Sequence, residues 1–401
     1  APGGFTGALD TSIPFSGSRY SVASVDTDRG EVQLQRNDRF WGAPASLDTI
    51  LLRRVSGAAE VAEALRTDDT QLALSSTDAA TTAQLRAVPG LRNTVVPLPS
   101  VMQVTVRTTA PALASASVRR GVLGLLDPDA LTTIGTGTVP RSKGVGTDES
   151  VLRDEAQLLA PSQPGYTPTA PVPLDPAQAR TLIEAGGYTY SAGRYALDGK
   201  PLSLVVGADE RDPVAVSIAQ ATADELTSGG IAATALATPA TTLYAGGAKQ
   251  ADLIVGRAAV GGDLATMMAS RFSCPPATTG SAVTSPAAPT TTPPTTTGTT
   301  TTGTATTAAP TATAPPRGAN VSGLCDPSLQ APLRAALTGT LDAEKVAAEL
   351  EPVLWAQAVV LPLYQDTRLL SVRPTLQGVS SDVTLTRGPL VGAARWTKSP
   401  S

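Results

Sequence analysis

Polar and apolar positions alternate at period two near the start of the chain and recur at helical spacing further on. Residues 20–25 and 32–34 alternate on either side of a turn at 28–30, which predicts a β-hairpin. Val118, Val122, Leu125 and Leu126 recur at i, i+4, i+7 and i+8, which predicts one amphipathic helix ending just before Asp127. Further predicted elements are a strand at 50–52, a helix at 60–65 and a strand at 71–74.

The stretch from 201 to 257 alternates strand and helix patterns. The pattern predicts strands at 202–206, 231–236 and 253–255, with a helix at 214–226. This alternation favours an α/β fold with a largely parallel sheet. Two helices at 329–337 and 346–355 are predicted to precede a strand at 359–364, where Pro362 indicates a sheet edge or a bulge.

Four Asp-Pro pairs mark predicted helix starts. They are Asp127-Pro128, Asp175-Pro176, Asp212-Pro213 and Asp326-Pro327. Aspartate is a preferred N-cap, and proline is tolerated at the first helical position because its missing N–H would have no partner there. Gln178 follows Asp175 by three residues, as in a capping box. We therefore interpret these carboxylates as caps and not as catalytic groups.

Composition excludes several classes of chemistry. The 401 residues include no histidine, which removes histidine-based catalysis and histidine-ligated metals, so no metal site and no cofactor are predicted. The net charge of −4 lacks the basic excess of a nucleic-acid-binding protein. No apolar run approaches the roughly 18 residues of a transmembrane helix. A hydrolase would need two carboxylates facing one cleft, and the cap interpretation leaves few candidates.

A low-complexity segment from 275 to about 319 contains mostly Thr, Pro, Ala, Ser and Gly. Such a segment cannot bury enough apolar surface to fold, so it is predicted to be disordered. Cys274 and Cys325 flank it and are the two cysteines of the chain. We predict a disulfide between them, which places the protein in an oxidising compartment.

Five segments, in order along the chain, resemble motifs of the family 5 extracellular solute-binding proteins, which serve peptide ABC importers. They are Arg36-Asn37-Asp38-Arg39-Phe40-Trp41-Gly42, Val118-Arg119-Arg120-Gly121-Val122-Leu123, Asp175-Pro176 through Tyr188, Ala251-Asp252-Leu253-Ile254-Val255-Gly256, and Pro362-Leu363-Tyr364. The resemblance implies an α/β, two-lobed periplasmic-binding-protein-like fold around a hinged cleft. It also implies a binding protein and not an enzyme.

The family map divides the chain into three parts. Residues 1–113 are expected to form the C-terminal portion of lobe I, residues 114–356 lobe II, and residues 357–401 the strands that return to lobe I. The N-terminal part of lobe I is expected to be missing, which would leave an exposed apolar face. The first residues show no initiator methionine or signal peptide, so we expect any export signal to lie outside the chain.

Further stretches, at 121–127, 164–171 and 265–271, resemble a branch of mycobacterial cell-envelope lipoproteins within this family. That resemblance implies an envelope glycolipid or related solute as ligand, and a link to phosphatidylinositol mannoside and lipoarabinomannan synthesis. It implies an extracytoplasmic protein, with a lipid anchor N-terminal to this chain and an ABC permease or membrane mannosyltransferase as partner. The alternative is the receptor of a peptide importer. No nucleic-acid partner is expected.

Candidate ligand residues follow from the same resemblance. The acid that neutralises a peptide's α-amine in this family falls on Val260, which argues against free peptides as ligands. Arg257 replaces the family's tryptophan and would suit an anionic head group. Its alternatives are exposure to solvent or an ion pair with Asp263. Asp263 matches a second acidic position of the family and is also a candidate ligand residue. Tyr364, Asp366 and Arg368 are the remaining cleft candidates, and Trp41 is predicted to be a packing anchor.

Overall fold

The computed structural model describes residues 16–55, 57–138, 151–244, 251–274, 320–380 and 390–399. The strands are β1 (Tyr20–Asp26), β2 (Glu31–Arg36), β3 (Thr49–Arg53), β4 (Leu72–Ser75), β5 (Arg92–Val106), β6 (Leu152–Arg153), β7 (Thr189–Ser191), β8 (Arg194–Leu197), β9 (Lys200–Pro201), β10 (Ser203–Asp209), β11 (Ala232–Thr238), β12 (Leu253–Ala259), β13 (Val360–Val372), β14 (Leu376–Gln377) and β15 (Thr397–Lys398). The helices are α1 (Ala58–Arg66), α2 (Ala79–Arg86), α3 (Ala116–Leu123), α4 (Pro128–Thr136), α5 (Pro176–Glu184), α6 (Pro213–Ser228), α7 (Ala240–Tyr244), α8 (Leu264–Phe272), α9 (Pro327–Leu337) and α10 (Ala343–Gln357), with short 3-10 turns at Pro111–Leu113 and Ala393–Arg395. The predictions for the first fifteen residues and for the insert at 275–319 lie outside these ranges.

A seven-stranded mixed sheet organises the molecule, in the order β11-β10-β12-β5-β13-β4, with β6 also paired to β13. Strands β10, β11 and β12 are parallel, as the alternating pattern predicts. The strands β5 and β13 are antiparallel to their neighbours. The prediction of a largely parallel sheet was therefore wrong beyond β10–β12, because the long strands come from distant parts of the sequence and carry no local signal of direction.

Strands β5 and β13 link two halves of the sheet. The late residues of β5 pair with β12, where Val106 lies opposite Leu253. The early residues of β5 pair with the late residues of β13, which also pairs with β4. The register of β13 shifts between Pro362 and Tyr364, so the predicted bulge is confirmed. On the side away from β5, β13 pairs with β6 at Tyr364 and Gln365 and with β4 from Leu369 onward, so the paired strands begin after Pro362 on that side.

Hydrophobic clusters cover both faces of the sheet. On one face, Ile218 and Leu226 of α6 pack with Val206 and Val255. On the other face, α8, α9 and α10 form a second cluster, which includes the fully buried Met268. Removing such a side chain typically costs about 2–5 kcal/mol, so the two clusters fix the ends of β10 and β12 against their helices.

The helix starts follow the sequence closely, whereas one helix end does not. All four aspartates of the Asp-Pro pairs accept backbone N–H groups as N-caps, and Asp175 forms the predicted capping box with Gln178. Helix α3, however, ends at Leu123 with Gly124 as its C-cap. Leu125 and Leu126 belong to the turn that follows, so the longer predicted helix was wrong. A buried turn can present apolar residues at helical spacing.

The smaller sheet, in the order β1-β2-β3, contains the predicted hairpin. Trp41 follows β2, and its side chain is 90% exposed beside the ring of Phe40. The prediction of Trp41 as a packing anchor was therefore wrong for the described residues. An apolar groove of about 580 Å³ lies along β3 and β4, with Leu51, Leu52 and Leu74 partly exposed at its margin.

The predicted disulfide is present. Cys274 and Cys325 are bonded, with their Cα atoms 4.6 Å apart and 51 residues between them in sequence number. Cys274 comes two residues after α8, and Cys325 comes two residues before α9. The disulfide therefore holds together the two helices that flank the insert.

Candidate functional site

An ion-pair network lies where β12, β5 and β13 meet. The Arg257 Nε donates to a carboxylate oxygen of Asp366 at 2.9 Å, and the Arg257 Nη1 pairs with Asp212. Ser100 donates its hydroxyl to the same Asp366 oxygen at 2.6 Å. One guanidinium therefore contacts two carboxylates, and the network joins residues from four elements.

Sheet register explains why these side chains meet. Arg257 of β12 and Tyr364 of β13 both lie opposite Met102 of β5, so all three residues share one face of the sheet. Asp212 reaches them because it caps α6 at the carboxyl end of β10, where its other oxygen accepts the Ala215 N–H at 3.2 Å. In open α/β sheets this edge is the usual place for ligand binding.

Burial and charge are balanced differently across the network. The side chain of Asp366 is 6% exposed, whereas those of Asp212 and Arg257 are 23% and 34% exposed. Burial acts to lower the pKa of Arg257, but the carboxylates of Asp366 and Asp212 outweigh it, so that the pKa lies above its usual value. Burial raises the pKa of Tyr364 well above the usual range of a phenol. Arg257 therefore remains charged and Tyr364 remains neutral at any physiological pH.

The structure brings three of the five predicted ligand residues together. Arg257 and Asp366 form the ion pair, and Tyr364 lies on the same face, with its hydroxyl packed against Gly135 so closely that a Cβ there would lie 2.6 Å away. Arg368 lies two residues after Asp366 on β13, and its guanidinium donates to the Thr367 carbonyl at 3.2 Å.

Asp263 lies apart from this network. Its carboxylate accepts the N–H and the hydroxyl of Thr266, both at 2.7 Å, and so caps α8. The alternative pairing of Arg257 with Asp263 was wrong, since Asp212 and Asp366 take that place. Val260 is 4% exposed and packs against Val101 and Ala160, so no charged group occupies its position.

Sequence reasoning missed three participants in this region. Asp212 was interpreted only as a cap, although its second oxygen binds Arg257. Ser100 carried no motif at all. Arg271 of α8 lines a cavity of about 440 Å³ between this helix and the sheet, and Arg257 also contributes to the lining. Within the described ranges, no three Asp, Glu or Cys residues cluster as a metal site, and no helix is long and apolar enough to cross a membrane.

Comparison with known proteins identifies the class. Residues 4–275 match the family model described as bacterial extracellular solute-binding proteins, family 5. The chain is also 38% identical, over 99% of its length, to a Mycobacterium tuberculosis protein described as the probable monoacyl phosphatidylinositol tetramannoside-binding protein LpqW. This chain therefore belongs to the family 5 extracellular solute-binding proteins, and it is similar to LpqW.

Solved structures of the same fold support the assignment. The periplasmic EDTA-binding protein EppA superposes with a TM-score of 0.69 at 17% identity, over 96% of this chain. The oligopeptide-binding protein AppA from Bacillus subtilis, in complex with a nonapeptide, superposes with a TM-score of 0.63 at 12% identity, over 95%. These structures establish the two-lobed α/β fold. The chain spans 67% of the length of LpqW and 65% of the length of EppA.

Proposed function

We propose that this chain is the solute-binding part of an LpqW-like envelope protein, and that its ligand is the sugar head group of a glycolipid. The support is the 38% identity to a protein described as a probable binder of a phosphatidylinositol tetramannoside. The link to phosphatidylinositol mannoside and lipoarabinomannan synthesis, the N-terminal lipid anchor, and a permease or membrane mannosyltransferase partner belong to the same proposal.

The observation that carries the proposal is the pairing of Arg257 with both Asp212 and Asp366. A guanidinium that contacts two carboxylates has no net positive charge left for a free phosphate. The network of Arg257, Asp212 and Asp366 nevertheless offers hydrogen-bond donors and acceptors side by side. A sugar hydroxyl both donates and accepts, so this arrangement suits a polyol better than it suits an isolated anion.

Free peptides fit the same site poorly. A buried ammonium needs a carboxylate partner, because an unpaired buried charge costs several kcal/mol. Val260 supplies no charge at the position of the family's acid, so the partner that the family provides for a peptide's α-amine is missing from this place. A peptide-importer receptor is therefore the second candidate, and its ligands belong in the same experiment.

We also propose that β5 and β13 are the strands that cross between the two lobes and form the hinge. In this assignment residues 1–113 and 357–401 share lobe I, and 114–356 form lobe II. Arg257 and Asp366 contact ligand hydroxyls, Tyr364 positions them from behind, and Arg368 and Asp263 line the margins of the binding region. Both crossing strands pair with β12 or β4 at their ends, which supports a hinge between them.

The test is thermal unfolding of the purified protein with phosphatidylinositol mannosides or with a random peptide pool. A ligand at about a hundred times its Kd stabilises the folded state by about 2.7 kcal/mol. We expect stabilisation by the mannosides, lost in Arg257→Gln and kept in Arg36→Gln, whose ion pairs lie in the smaller sheet. Stabilisation by peptides alone would establish the importer receptor instead.

A further inference from the structure

The second arginine near β12 lies in a different environment from Arg257. Side chains of β12 alternate between faces, so Val255 packs in the core beneath the Arg257 network while Ile254 lines the cavity on the opposite face. Arg271 reaches this cavity from α8. The volume of about 440 Å³ lies within the range of small-molecule binding sites, which is roughly 300–1,000 Å³.

The guanidinium of Arg271 is half-buried and forms no ion pair within the described ranges. Its two terminal nitrogens donate to the carbonyl oxygens of Gln157 at 3.3 Å and Ala259 at 2.9 Å. Burial lowers its pKa to about 10, against the weaker opposing effect of Asp154. A half-buried guanidinium that is hydrogen-bonded only to carbonyl groups keeps its positive charge, so an anion brought into the cavity would gain from contact with it.

The remaining lining is mostly apolar or already satisfied. Ile254, Met267, Phe272, Val321 and Val360 supply the apolar wall. Three buried polar residues also line the cavity. The Gln103 amide donates to the Thr105 hydroxyl at 2.8 Å, and the Ser322 hydroxyl donates to the Asn320 side-chain oxygen at 2.9 Å.

The carboxylate of Asp263 also lines the cavity, where it caps α8. Asp263 and Arg271 are eight positions apart along the helix, so their backbones are about 12 Å apart along its axis. A negative ligand group is therefore favoured near Arg271 and disfavoured near Asp263. The two charges give the cavity a defined polarity.

We propose that this cavity binds a small amphiphilic anion, with its carboxylate or phosphate against Arg271 and its apolar body against the wall formed by Ile254, Met267 and Phe272. Arg257 also lines this cavity, but its partners Asp212 and Asp366 do not, so the proposed contact at Arg271 lies outside the ion-pair network. The test therefore uses Arg271, and its failure would leave the glycolipid proposal, which rests on Arg257, untouched.

The test is isothermal titration of the protein with four probes: dodecanoate, dodecyl phosphate, dodecanol and inorganic phosphate. We expect the two amphiphilic anions to bind, and dodecanol and inorganic phosphate to bind at least about tenfold more weakly. Charged hydrogen bonds are worth about 1.5–3 kcal/mol, so Arg271→Gln is expected to weaken dodecanoate about ten- to hundredfold. The matched control is Arg334→Gln, which removes an exposed arginine on α9 outside the cavity.

A second variant tests the cavity without removing charge. Ala258 lines the cavity, so Ala258→Phe fills part of it and is expected to abolish dodecanoate binding while leaving the far-UV circular dichroism unchanged. Equal binding of dodecanol and dodecanoate would overturn the role of Arg271. Failure of both anions to bind, or undiminished binding in Ala258→Phe, would overturn the site itself.

Discussion

Two neighbouring arginines, Arg257 on β12 and Arg271 on α8, differ in how their charge is balanced. Arg257 has two carboxylate partners, and its pKa is raised even though burial opposes this. Arg271 has two carbonyl partners, and burial lowers its pKa to about 10. The side chains are chemically identical, so the difference comes wholly from residues that the fold brings near. The balanced arginine suits neutral hydroxyl groups, whereas the unbalanced one suits an anion.

The largest effect expected is on the helix that carries Arg271. The Cys274–Cys325 disulfide follows the end of this helix and joins residues that are 51 positions apart in the sequence. The chain-entropy relation gives about 4 kcal/mol for a loop of that length. We therefore expect the double variant Cys274→Ser/Cys325→Ser to lose about that much free energy of unfolding, measured by urea denaturation. A loss below about 1 kcal/mol would show that the disulfide does not constrain this side of the sheet.

The next effect concerns Asp154, the carboxylate whose field acts on Arg271. Burial raises the pKa of Asp154 to about 7 and outweighs the opposing hydrogen bond from the Ala156 N–H. In the unfolded chain the group titrates near 3.9, so the folded state binds more protons between about pH 4 and pH 7. Stability should therefore fall as pH rises through that window, by about 4 kcal/mol.

The measurement is the urea midpoint from pH 4 to pH 8 for the wild type and for Asp154→Asn. The variant cannot ionise at this position, so we expect its urea midpoint to vary less with pH across the window. We also expect the variant to be more stable than the wild type at pH 7.5. An unchanged pH profile would mean that Asp154 does not carry this titration. Asp129→Asn, a substitution at an exposed carboxylate paired with Arg153, is the matched control.

A smaller effect is expected in the Arg257 network. Asp366→Asn removes one of the two charges that balance Arg257 while keeping the shape of the side chain. Arg257 is one-third exposed, so water and Asp212 compensate in part, and we expect a loss of about 2 kcal/mol. The control is Asp48→Asn, whose pair with Arg36 is three-quarters open to solvent on the carboxylate side and should change stability by less than about 0.5 kcal/mol. Equal losses in the two variants would contradict the special role of Asp366.

Local chemistry could be predicted from the sequence, and long-range partners could not. The caps at Asp175 and Asp212 depend on the next three residues, so their sequence signal is complete. The partners of Arg257 lie 45 and 109 residues away, and nothing near it in sequence specifies them. Asp212 shows the limit most clearly, because one oxygen performs the predicted local role and the other performs a role set by the sheet.

The direction of the long strands was hidden for the same reason. The order of β10, α6 and β11 was visible because consecutive elements pair in parallel through a helix. Strands β5 and β13 pair across more than 250 residues, and their antiparallel direction appears only in the folded sheet. Resemblance to a family supplied the two-lobed fold, which periodicity alone did not specify.

The most direct test of the account compares Arg257→Gln with Arg271→Gln by urea denaturation at pH 7. Arg257→Gln leaves two carboxylates facing each other without their cation, and we expect it to lose about 2 kcal/mol of unfolding free energy. Arg271→Gln removes a half-buried cation that has no carboxylate partner within the described ranges, and we expect a change of less than about 1 kcal/mol in either direction. A larger loss in Arg271→Gln than in Arg257→Gln would contradict the account, because it would make Arg271, and not Arg257, the arginine whose partners stabilise the fold.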